Sequence, residues 1–93
     1  MRVWITKYVL TRGIIEGDGC YALENDSSML ALTSVVDARH ERILYQPYFH
    51  RNEWHTTYEA ALSRALAMIE SERRSLHRKM SELDKLQASL KTP

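Results

Sequence analysis

The chain has 93 residues, 44% hydrophobic and 27% charged, and its 13 basic and 12 acidic side chains leave a net charge of +1. That composition excludes a disordered or fibrous chain, and the near-zero charge excludes the global field that holds proteins non-specifically on nucleic acid or anionic membrane. A chain this short buries a smaller share of its surface than a longer one, so a compact β part or association must supply extra burial.

The single cysteine, Cys20, provides no intramolecular disulfide framework, which fits a reducing compartment; it is expected as a small, half-buried strand residue. The opening Met1-Arg2-Val3-Trp4-Ile5-Thr6-Lys7 lacks the apolar core of a signal peptide, and no stretch approaches the roughly 20 apolar residues of a membrane helix. The expectation is a cytoplasmic protein with no membrane contact, forming one domain: residues 1–52 a sheet, residues 56–91 a long helix.

In chain order, Val3, Ile5 and Val9 alternate with Trp4, Thr6, Tyr8 and Leu10 in a β-branched and aromatic run that ends at Thr11-Arg12-Gly13, predicting a first strand and hairpin. Ile14 and Ile15 open a second strand, with a bulge favoured at Gly17-Asp18-Gly19 before Cys20-Tyr21-Ala22-Leu23. Asn25-Asp26-Ser27-Ser28 reads as a turn, and Met29 to Val36 as a third strand. Arg42 to His50, with Ile43, Leu44, Tyr45, Tyr48 and Phe49, reads as a fourth strand that Pro47 confines to a sheet edge or a break. The class is α+β: an antiparallel meander of about four strands, curling toward a half-open barrel, then one helix.

Thr56-Thr57-Tyr58-Glu59 fits a capping box with Thr56 as the cap. From there Leu62, Leu66, Ile69, Leu76, Met80, Leu83 and Leu90 follow a four-three spacing, with Arg73 and Gln87 at the two remaining seam positions. No glycine or proline lies between Thr56 and Thr92, so the helix should run roughly 50 Å, twice the width of a compact β unit of this size. Tyr58, Ala61, Leu62, Ala65, Leu66 and Ile69 are expected on the sheet. Leu76, Met80, Leu83 and Leu90 extend beyond it and imply a homodimer or another protein, unless a bend near Ser71 to Ser75 folds the second half back.

No spacing of Cys20, His40, His50, His55 and His77 matches recurrent metal or nucleophile chemistry, so no catalytic residue, metal or cofactor is expected. An enzyme would need His50, His55 and a carboxylate such as Glu53 to converge. The junction at Tyr48, Phe49, His50, Trp54 and His55 concentrates aromatic and imidazole groups, either as a plug for the open end of the sheet or as a binding surface on which bases could stack. Arg74, Arg78 and Lys85 share a basic helix face that can meet phosphates. Interleaved Glu70, Glu72, Glu82 and Asp84 favour a solvated, salt-bridged flank instead.

The run Val3-Trp4-Ile5-Thr6-Lys7-Tyr8-Val9-Leu10-Thr11-Arg12-Gly13-Ile14-Ile15-Glu16, followed by Tyr48-Phe49-His50 and Trp54-His55-Thr56-Thr57 before a charged helix, resembles small uncharacterised proteins encoded by tailed phages and prophages of Gram-negative bacteria. The resemblance covers both ends and little of residues 20–44, and Ala60 stands where that group's pattern has a second acid after Glu59. It implies a phage setting more than a mechanism; by analogy with small phage accessory proteins, which commonly bind and block a host protein, the expectation is an inhibitor in the host cytoplasm, with a restriction or CRISPR defence complex as the concrete version. The alternative expectation is a nucleic-acid or nucleotide-ligand binder using the aromatic junction and the basic face.

Overall fold

In the computed structural model, which describes residues 1–24 and 26–91, Val3 and Ile5 point to one side of strand β1 (Arg2–Ile5) and are fully buried. The same period-two logic turns Leu30 and Leu32 inward from β3 (Asp26–Val35). Between them lies β2 (Ile15–Leu23), and the five-stranded antiparallel sheet is completed by two-residue edges, β4 (Tyr48–Phe49) and β5 (Trp54–His55), in the order β4-β3-β2-β1-β5. The sheet curls into a half-barrel. Its core gathers Val3, Ile5, Ile15, Leu30, Leu32, Ile43, Phe49 and Trp54, with Tyr8, Val35 and Leu44 packed against it.

The curl is set where β2 and β3 change register, between Asp18 and Gly19 and again between Tyr21 and Leu23. The favoured bulge is therefore present. Gly17 and Gly19 are required by close approach: a Cβ on Gly17 would run into the Ser34 carbonyl oxygen, and one on Gly19 would lie 2.8 Å from that of Ala31. Both obstacles are backbone and cannot rotate away. Gly17→Ala is accordingly expected to destabilise the protein by about 2 kcal/mol despite alanine's lower unfolded entropy, because overpacking outweighs a propensity gain below about 1 kcal/mol. A shift in urea midpoint measures it, and an unchanged midpoint would mean that the two strands are not so tightly coiled.

Three expectations for the β half change. The first strand stops at Ile5 instead of continuing to Leu10. The Thr6 N–H donates to the Glu53 carbonyl, and the chain coils into one helical turn, α1 (Val9–Arg12), closed by Gly13 at φ 75°. This turn brings Tyr8 edge-on to Phe49, with ring centroids 6.3 Å apart.

The fourth strand shrinks to Tyr48–Phe49, because Ala38–Tyr45 form a 3-10 helix. Asp37 caps it, accepting from the Arg39 N–H and guanidinium, and these bonds to Arg39 hold the Asp37 carboxyl down at about 2. Pro47 stands at a break between the 3-10 helix and the edge strand β4, and its carbonyl accepts from the Leu32 N–H at 2.8 Å. The third change is the turn expected at 25–28. Strand β3 already begins at Asp26, which pairs with Leu23; Asn25 lies outside the described residues.

The helix α2 runs unbroken from Tyr58 to Lys91, 34 residues, so no bend at Ser71 to Ser75 folds it back. Its cap is Thr57 and not Thr56: the Thr57 carbonyl accepts from Ala61 N–H, and its hydroxyl accepts from Ala60 N–H at 3.2 Å. The third helical position is then Ala60, so the box with Glu59 does not form.

Only Ala61 and Ala65 of α2 are buried, against α1, β1 and β5. Their small side chains allow close approach, and the helix meets the sheet on this alanine face. Tyr58, Leu62, Leu66 and Ile69, expected on the sheet, lie instead 37–58% exposed. The molecule measures 65 × 27 × 22 Å with a radius of gyration of 18.3 Å, against about 12 Å for a compact chain of this length. Most of the excess is α2. No described helix is long and apolar enough to cross a membrane.

Candidate functional site

The first candidate is the outer stripe of α2. Leu76, Met80, Leu83, Leu86 and Leu90 are all between 49% and 79% exposed, and Leu62, Leu66 and Ile69 continue the stripe toward the β half. Arg73 and Gln87 interrupt it, also exposed. A contiguous apolar strip of this length is rare on the surface of a monomer. Leu86, beside the seam, was not among the residues expected there; it widens the strip on one flank.

The basic face behaves as a solvated flank. Arg74 Nε lies 3.4 Å from Glu70 Oε1, one turn away, both largely exposed, which is worth a few tenths of a kcal/mol at most. Arg78 and Lys85 are exposed on the same helix. Cys20 is exposed on β2, correcting the half-buried expectation.

The aromatic junction divides. Phe49 is wholly buried and Trp54 nearly so, so as placed neither offers a face for stacking and the expected five-residue surface does not exist as one surface. Trp54 has a mechanical role. Its indole N–H donates to the Ser28 carbonyl at 3.2 Å, and Tyr21 packs edge-on to it at 6.0 Å. Edge strand β5 is thereby tied back to the start of β3, closing one rim of the half-barrel. Tyr48 and His50 remain exposed, and His55 is half-buried.

Below this rim the short 3-10 helix Arg51–Glu53 separates two shallow clefts. One, of about 570 Å³, is lined by Lys7, His50, Arg51, Glu53, Arg64 and Met68 among others; the second contains Tyr21, Trp54 and His55, and shares Arg51 and Asn52. His50 and Glu53 thus face one cleft and His55 the other. The Glu53 carboxylate is already engaged, accepting from the His50 N–H at 2.8 Å and facing Lys7 Nζ at 3.7 Å. Among the described residues Arg51 and Arg64 have no carboxylate within ion-pair reach, so the first cleft carries surplus positive charge. No three of His, Cys, Asp and Glu among the described residues converge as a metal would require.

Thr6, the one buried polar residue in this region, was not anticipated as part of the junction. It is wholly buried, and its hydroxyl lies 3.0 Å from His55 Nε2. Its signal in the sequence is a small polar residue closing an apolar strand. Burial pushes the His55 imidazole below its ordinary 6.5, and the Arg64 charge adds to the effect.

Since the folded pKa lies below the unfolded value, the unfolded chain takes up the proton first as pH falls. The stability from neutral His55 is complete above about 6.5 and is lost progressively below it. Thermal midpoints measured from pH 7.5 to 5 should therefore fall more steeply for the wild type than for His55→Gln. Equal slopes would show that His55 has no such coupling. Compared with known protein families, curated proteins and solved structures, the chain matches none of them.

Proposed function

We propose that this is a non-enzymatic, phage-type accessory protein that works by protein–protein binding. Two copies join through α2, and the β half is offered to a host target in the host cytoplasm, in the concrete version a restriction or CRISPR defence complex. The observation that carries the binding reading is the exposed stripe from Leu62 to Leu90, most of it beyond the reach of the chain's own sheet. The phage setting rests on the resemblance in residues 3–16 and 48–57.

Light scattering tests self-association: the expected mass is twice the 10.9 kDa of one chain, and a monomer at every concentration would overturn it. Expression in bacteria carrying one defence system at a time should restore the plating of a restricted phage in one of them. Restoration in none would remove the inhibitor version.

A nucleic-acid or nucleotide ligand is a second reading, favoured by one observation: the uncompensated Arg51 and Arg64 beside Lys7 in one cleft. Salt-sensitive binding to a labelled oligonucleotide, lost in an Arg51→Ala, Arg64→Ala double variant, would establish it.

A further inference from the structure

We infer that the second copy binds α2 in parallel and in register, as a two-stranded coiled coil that holds both β halves side by side at one end. This rests on the self-association reading and adds its geometry. Written as heptads, Leu66, Arg73, Met80 and Gln87 occupy the a positions, and Leu62, Ile69, Leu76, Leu83 and Leu90 the d positions. Ala61 and Ala65, which meet the sheet, lie about a third of a turn around the helix from that seam. The β half therefore covers the flank of the seam at Ala65, a g position, and leaves Leu62 and Ile69 39% and 37% exposed, while from Leu76 to Leu90 the seam is open. Burying the apolar a and d side chains of two helices removes on the order of 1,000 Å² from water, the size at which specific interfaces begin.

The polar seam positions choose the orientation. In parallel register Gln87 faces Gln87 of the second copy, and the two amides can bond to each other. Arg73 faces Arg73, with Glu72 of the opposite helix beside each guanidinium. The flanks agree: Lys79 at g reaches Asp84 at e of the second copy, and Glu72 reaches His77.

An antiparallel pair laid over the whole stripe does the reverse. It sets Lys79 against Lys79, Glu70 against Asp84, and the Gln87 amide against Ile69. Sliding that pair by one heptad brings Glu72 to Lys79, but Gln87 then faces Leu62, Leu90 loses its layer, and each helix end runs beside the other copy's β half. Only the parallel pair satisfies charges, amides and leucines together.

The consequence is bivalency. Two copies of the same β surface point at one target, and linkage of this kind raises avidity without new contacts when the target repeats its epitope.

The test is disulfide trapping in a Cys20→Ser background. Leu90→Cys and, separately, Leu83→Cys place thiols in d layers, where parallel helices bring them together. In a glutathione buffer each should form an intermolecular disulfide at least about 100-fold more favourably than in denaturant.

Spin labels at Lys85→Cys, outside the seam, give a second reading that leaves the packing intact. Their separation should be little more than the width of a helix pair if parallel, and above roughly 30 Å for the fully overlapped antiparallel pair. A dimeric mass with no trapping and long label distances would overturn the parallel pair while leaving self-association standing. A monomeric wild type would overturn both.

Discussion

Phe49→Ala is expected to lower stability by about 3–5 kcal/mol, because the ring is wholly enclosed and the cavity left by its removal cannot be filled from an edge strand. A domain of this size has about 5–14 kcal/mol in total, so the variant should lose more than about 12 °C in thermal midpoint. Its neighbour Tyr48, 60% exposed on the same short strand, should tolerate alanine within about 0.5 kcal/mol. The pair of urea melts is decisive for the junction. Equal, small effects at both positions would place Phe49 on the surface, and with it a stacking platform; a large effect at Phe49 alone makes it part of the core on which Tyr8 and Lys7 pack.

The contrast shows what the sequence could and could not reveal. Phe49 and Trp54 stand in a segment where aromatics follow one another with Tyr48, His50 and His55, and composition cannot separate a plug from a platform. Alternation across a strand can, but β4 and β5 are two residues each, too short for a period to show.

Arg42 to Tyr45 read as the start of a strand because of Ile43-Leu44-Tyr45, yet they form the second half of the 3-10 helix Ala38–Tyr45. The residues before Ile43, Ala38-Arg39-His40-Glu41-Arg42, favour helix, and Asp37 supplies the cap. Strands β2 and β3 were legible because their alternation is long and their turns carry glycine, aspartate and serine.

Helix α2 was legible in extent, since seven apolar residues share one spacing and no breaker intervenes. Its orientation is legible in part: of the six residues expected on the sheet, Ala61 and Ala65 are buried there, while Tyr58, Leu62, Leu66 and Ile69 stay exposed. Alanine at four-residue spacing is a weak hydrophobic signal and a strong packing one, because it lets two backbones approach. Leu62, Leu66 and Ile69 therefore stay partly exposed at the proximal end of the stripe, which Arg73 and Gln87 interrupt.

Leu83→Asp should convert the protein to a monomer while the β half stays folded. In a helix pair each copy loses the burial of one leucine, about 1.5–3 kcal/mol, and two carboxylates meet in a seam with no cation in their layer, so dissociation should rise by roughly 10³-fold or more. The β half has no stake in this position: Leu83 is 63% exposed, and the last buried residue of α2 is Ala65, five turns earlier.

The helix itself should respond. Beyond Ser75 every residue of α2 is exposed, and a solvated helix of that length is marginal in water. The variant should therefore lose helical circular dichroism from its distal half, with little change in the thermal midpoint of the β core. Arg78→Asp, a charge reversal on the outer face of the same segment, should keep both mass and helicity. If Leu83→Asp leaves the mass of a dimeric wild type unchanged, the second copy is held elsewhere, and the exposed stripe belongs to a different protein.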